Sequence, residues 1–206
     1  MLLSPTSAPL PDQTFPDREV LLQEGLLDRL LHRALKVHAE GLKAFGLLVA
    51  APDEPGYPYC ASDVVIFDPT HNRRNHPSVR PAFEAQGSYF RAYEDAGFVA
   101  DSAEVLAVHR RLEARGLEPV ALFHTHRRQP ANFSSIDYRL HNPAYAWHLI
   151  ISLREPRVPV LRAFAVDKSL DDFGIDPSDA NEDSQCDYLG PEVAPLRIAT
   201  AEEAAA

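Results

Sequence analysis

Apolar residues recur at three- and four-residue intervals through Leu27, Leu30, Leu31, Ala34, Leu35 and His38. That spacing predicts an amphipathic helix over Arg18–His38, with Gly41 as its stop. The period then changes. Phe45–Ala50 is a short continuous apolar run, Asp53–Tyr59 is broken by prolines and glycine, and Ser62–Phe67 reads as an antiparallel partner strand. Asp101-Ser102-Ala103-Glu104 is a helix-start signal, followed by Val105, Leu106, Val108 and Leu112 on one face, with Gly116 as the stop. That helix leads into the apolar run Val120–Phe123. Ser134 then predicts a helix cap, with Asp137 in the first turn of a helix ending near His141. Two final strands, 146–153 and 158–166, are joined by Arg154-Glu155-Pro156-Arg157.

The pattern predicts an α/β chain: a mixed, mostly antiparallel sheet flanked by helices, with a long helix on each side. Residues 1–17, rich in Pro, Ser and Thr, are expected to be disordered. A folded domain is expected over 18–167, with an insertion around 68–97 that holds a short helix over 82–95. Residues 168–206 form an acidic tail, expected to be mostly disordered except for a patch at Ala194–Ile198 that could dock on the domain.

Charge sharpens this division. The chain carries −10 overall; from Lys168 onward ten acids face only Lys168 and Arg197, a net −8, leaving −2 for residues 1–167. No basic stripe exists to displace phosphate counterions, so nucleic acid is excluded as a substrate. Arg127 and Arg128, with Arg73 and Arg74, are the local basic clusters, fit either for an acidic partner or for solvent. Cys60 and Cys186 form neither a disulfide framework nor a thiolate zinc site. No apolar run reaches membrane-spanning length, and the start MLLSPTSAPLPDQ lacks the features of a signal peptide. The expectation is a soluble cytoplasmic protein without a membrane partner; its oligomeric state is left open.

One stretch carries chemistry: His124-Thr125-His126, then Ser134 and Asp137. Strand side chains alternate with period two, so two histidines one residue apart turn their rings to one side. A carboxylate eleven residues beyond His126 completes a three-ligand face after one loop. Two imidazoles and one carboxylate leave a fourth tetrahedral position open, which is the pattern of a catalytic rather than a structural zinc site. The bland alternative is a pair of surface histidines beside a helix-capping serine.

The spacing H-x-H, seven residues, S, two residues, D resembles the JAMM (MPN-plus, Mov34/JAB) metalloprotease motif of the bacterial type, and the match is complete at His124, His126, Ser134 and Asp137. Phe45–Val49, Val120–Phe123, Trp147–Leu153 and Leu161–Phe164 are similar to the family's core strands, so the resemblance spans roughly residues 30–167. It implies a cytidine-deaminase-like JAMM/MPN fold, Zn2+ on His124, His126 and Asp137, and Ser134 as donor to a tetrahedral oxyanion. The family's general base, a glutamate three residues before the first-strand glycine, is replaced: Gly46 puts Lys43 there. A protonated lysine cannot accept a proton, which leaves Glu40 as the nearest carboxylate and Glu54 and Glu84 as more remote ones. Arg127 stands where many relatives carry proline.

The resemblance further implies a zinc metallo-isopeptidase acting at the C-terminal glycines of a ubiquitin-like β-grasp protein, such as a sulphur carrier. The substrate tail would lie along an edge strand. A second reading is a metal-binding scaffold with little hydrolysis, favoured by Lys43. A third is hydrolysis of a small amide. The remaining histidines read as bystanders: His71 and His76 as loop residues, His109 as part of an amphipathic helix face, and His148 as a hydrogen-bonded sheet residue.

Overall fold

Val20 and Leu22 are fully buried while Glu19 and Leu21, which alternate with them, are half-exposed, and this period-two pattern places residues 19–22 in a strand rather than a helix. The structure, a computed structural model, describes residues 19–70, 77, 80, 81, 99–169 and 192–200. The helix expected from Arg18 therefore begins later. Strand β1 (Glu19–Leu22) pairs with neighbours on both sides, and Gly25, in the left-handed region at φ 67°, turns the chain into α1 (Leu26–Ala39). Pairing and a glycine turn override the local helical spacing here. The end matches expectation: Gly41, at φ 74°, donates its N–H to the His38 carbonyl.

The remaining elements are β2 (Phe45–Ala50), β3 (Cys60–Ala61), β4 (Asp63–Ile66), α2 (Ser102–Glu113), β5 (Glu118–His126), α3 (Ser135–Leu140), β6 (Trp147–Ser152), β7 (Val160–Val166) and β8 (Val193–Thr200). The helix over 82–95, most of the 68–97 insertion, and segments 1–17, 170–191 and 201–206 lie outside the described residues.

Among the described residues the eight strands form one sheet in the order β3-β1-β8-β7-β6-β5-β2-β4. The pairs β2–β4, β2–β5, β6–β7 and β7–β8 are antiparallel; β1–β3, β1–β8 and β5–β6 are parallel. β3 and β4 are separated only by Ser62 yet stand at opposite ends of that order, so the sheet curls nearly into a barrel. Strand β8 corrects the expectation for the tail. Residues 193–200, which include the patch Ala194–Ile198, are built into the sheet between β7 and β1.

Alternation along the strands sorts the core into two sides. Leu26, Leu30 and Ala34 of α1 pack with Leu48, Ala121, Phe123, Trp147, Leu149 and Ala163. Each fully buried leucine of this set contributes about 2 kcal/mol. On the opposite face α2 lays Val108 and Leu112 against Phe45, Leu47, Val49 and Leu122. Phe133, just before α3, and Tyr138, within it, meet Ile150 and Phe164 on that face. Leu122 of β5 and Ile150 of β6 thus lie on the face of α2 and α3, and His124, His126 and His148 share their strand parity. Gly46 serves the same region: a Cβ there would lie 1.9 Å from the Val65 carbonyl oxygen and 2.8 Å from Phe123. Only glycine lets β4 and β5 close on β2 at that level.

Candidate metal centre

The end of β5 is held from its other face. Thr125 donates its N–H to the Ala44 carbonyl at 2.9 Å, and its Oγ1 accepts from the Ala44 N–H at 2.9 Å. With Thr125 tied inward, His124 and His126 project together toward α3; their Nε2 atoms are 2.9 Å apart. Asp137 arrives from α3 with Oδ1 3.1 Å from His124 Nε2. One ligand atom from each of the three residues lies within 4.8 Å of the others, and all three side chains are buried.

A reciprocal capping box fixes the carboxylate. Ser134, the N-cap of α3, donates its hydroxyl to Asp137 Oδ2 at 2.6 Å and its N–H to the same oxygen at 2.7 Å. The Asp137 N–H returns a bond to Ser134 Oγ at 3.3 Å. One carboxylate oxygen is occupied by the cap while the other is free to face the histidines.

The electrostatics favour a cation at the centre. Burial pushes His124 down and lowers His126 to about 4, so both imidazoles are neutral at physiological pH. His126 Nδ1 lies 2.6 Å from the Pro130 carbonyl, which can only accept, so its Nε2 carries the lone pair. Asp137 is tightly coupled to these two rings, and against the opposing effect of burial that coupling holds its carboxyl far below its usual range. Two imidazole nitrogens and a carboxylate oxygen are thus packed together in a buried site. That donor set fits a divalent transition metal ion.

A family profile described as prokaryotic homologues of the JAB domain matches residues 28–166. The chain belongs to this JAB-domain family. It includes metal-dependent isopeptidases. Among solved structures, the JAB-domain chain is similar to a protein from Desulfitobacterium hafniense, with TM-score 0.56 and 21% identity over 88% of this chain and 92% of that one. At that identity the likeness bears on the fold alone. A JAB1/MPN domain protein from Archaeoglobus fulgidus is similar at TM-score 0.41 and 11% identity, over 88% of this chain and 98% of that one. A protein from Salinibacter ruber is similar at TM-score 0.47 and 17% identity, over 86% and 97% of the two chains. Among curated proteins, none matches this chain.

In this JAB-domain protein His124, His126, Ser134 and Asp137 come together as the spacing predicts. Glu40 does not join them. It is the exposed C-cap of α1, and the charge that reaches the site from this segment is that of Lys43, which lowers both histidines. Glu54 is engaged in the turn after β2, where its Oε2 accepts from the Ala51 N–H at 3.2 Å and its Oε1 accepts from Gln23. Glu84, His71, His76, Arg73 and Arg74 lie outside the described residues. His109 is half-buried on α2.

Two participants were missed by sequence reasoning. His148 is a hydrogen-bonded sheet residue, as expected, but its partner is His124 itself, at 2.8 Å. His141, the C-cap of α3, is fully buried and stands 3.1 Å from His148. The even position of His148 on a strand beside β5 was the available signal for the first; the second depends on how α3 folds back.

Proposed function

We propose that this chain is a zinc-dependent metallo-isopeptidase or peptidase that cuts after the C-terminal Gly-Gly of a ubiquitin-like β-grasp protein, such as a sulphur carrier of the molybdopterin synthase small-subunit type. The observation that carries this reading is the buried convergence of His124 Nε2, His126 Nε2 and Asp137 Oδ1, three donors with one vertex to spare. When bound, zinc supplies Lewis acidity toward a carbonyl and an activated water, which is what amide hydrolysis requires. The residues of the chain supply the rest. Ser134 Oγ sits beside Asp137 and, released from it, can donate to an oxyanion. The proton-accepting role falls to Glu40 in this reading, which requires its exposed side chain to turn toward the histidines. The narrow glycine tail of a β-grasp protein suits entry to a buried site.

Incubation of the zinc-loaded protein with a panel of β-grasp fusions tests this. Cleavage after Gly-Gly, abolished by chelation and restored by zinc, is the expected result; intact fusions across the panel with metal bound would overturn it. A second reading is a metal-binding scaffold with little hydrolysis. The position of Lys43, whose charge reaches His124 and His126 while Glu40 faces solvent, favours it. A protein that holds zinc stoichiometrically but cuts neither fusions nor short peptides would establish the scaffold.

A further inference from the structure

His124 does not end at its own ring. Its Nδ1 lies 2.8 Å from His148 Nε2, His148 Nδ1 lies 3.1 Å from His141 Nδ1, and His141 Nε2 lies 2.9 Å from the Tyr145 carbonyl oxygen. All three rings are buried. We infer that His148 and His141 are positioning residues for the metal centre: they form a one-way hydrogen-bond chain, anchored on the Tyr145 carbonyl, that keeps the His124 Nε2 lone pair turned toward the bound ion. The inference rests on the metal-site reading above and deepens it.

The direction of the chain follows from what each atom can do. A carbonyl oxygen only accepts, so His141 Nε2 must carry the hydrogen. A neutral His141 then has a lone pair at Nδ1, and His148 must donate to it from its own Nδ1. His148 Nε2 is left as an acceptor, and it takes the hydrogen of His124 Nδ1. Nε2 of His124 is then the lone-pair nitrogen. Running the chain the other way would set the His141 Nε2 lone pair against the Tyr145 oxygen at 2.9 Å, buried and uncompensated.

The fold holds both ends in place. Burial, then the charge of Lys168, keep His141 neutral, with its pKa lowered to about 4. Lys168, itself buried, donates to the carbonyls of Tyr138 at 2.7 Å, Arg139 at 3.1 Å and His141 at 3.3 Å, which ties down the turn bearing His141. Phe133 packs edge-on against His148 at 5.4 Å between centroids. Metal-bound histidines commonly donate to a carboxylate or a carbonyl. Here the partner is a neutral imidazole, which orients His124 without adding negative charge to the site.

The test uses the full-length protein with zinc bound and histidine nitrogens labelled. Long-range proton–nitrogen NMR correlations are expected to place the hydrogen of His148 on Nδ1 and that of His141 on Nε2. A hydrogen on His148 Nε2 overturns the inference. Competition with a chelator gives a second readout: His148→Met should weaken zinc binding about 10- to 100-fold, whereas His148→Gln, whose Oε1 can accept where Nε2 did, should bind close to wild type. If His148→Met fails to fold, the NMR assignment and the Gln variant still decide. Folded His148→Met protein with wild-type affinity sinks the inference alone. Wild-type protein that takes up no zinc sinks the metal-site reading with it.

Discussion

Ser134 and Asp137 hold each other reciprocally: the serine hydroxyl and N–H both donate to Asp137 Oδ2, and the aspartate N–H donates back to Ser134 Oγ. The helix cap and the presentation of the Asp137 carboxylate to the histidines are one device, since the oxygen left over, Oδ1, faces His124 at 3.1 Å. Ser134→Ala should therefore cost about 1 kcal/mol of stability through the lost cap. It should also lower turnover about a hundredfold or more if the same hydroxyl serves the oxyanion. Thermal melts read the first effect, and single-turnover cleavage at saturating zinc reads the second. A variant with unchanged turnover would confine Ser134 to the cap.

Gly46 lets three strands close at the base of the site. Its missing Cβ would fall 1.9 Å from the Val65 oxygen, an overlap that backbone cannot relieve cheaply. Gly46→Ala should destabilise the protein by about 3 kcal/mol or prevent folding. Denaturant unfolding of the variant beside wild type measures it, and a loss well under 1 kcal/mol would contradict the packing described.

Much of this arrangement was legible in the sequence. The period-two rule put His124 and His126 on one face, and the S-x-x-D spacing put Asp137 in a capped first turn, because both are local rules that the tertiary fold left intact. The strands Phe45–Ala50, 147–152 and 160–166 were legible for the same reason. Three features depended on partners far along the chain. Glu19–Leu22 became a strand because β3 and β8 pair with it. Residues 193–200 left the acidic tail for the gap between β7 and β1. His148 came beside His124 through the parallel β5–β6 register, which sets Leu122 opposite His148.

Acid should unfold the zinc-free protein. His141 and His126 are held at about 4 in the fold against an ordinary 6.5, chiefly by burial. Below 6.5 the unfolded chain takes up protons at these sites while the folded chain does not until about 4. Stability is therefore fully present above 6.5 and lost as pH falls through the window between the two values, at about 1.4 kcal/mol per pH unit for each such histidine. Melting temperatures taken between about pH 7.5 and 4.5 should fall steeply in that window. A flat profile would mean the rings are solvated.

Glu40 and Lys43 separate the enzyme from the scaffold. If Glu40 accepts the proton, Glu40→Gln should lower kcat by about a hundredfold or more with zinc affinity unchanged. Lys43→Glu restores a carboxylate at the position the family spacing favours, and it should raise turnover. Rate measurements on both variants with a cleavable β-grasp fusion decide this. Equal rates in Glu40→Gln and wild type would remove Glu40 from the chemistry.

The central claim is a cation held by His124, His126 and Asp137, and metal content measures it most directly. Elemental analysis of protein loaded with zinc and freed of excess should find about one zinc per chain in the wild type and far less in a folded Asp137→Asn variant. No stoichiometric metal in the wild type, or the same zinc content in both proteins, would contradict the account.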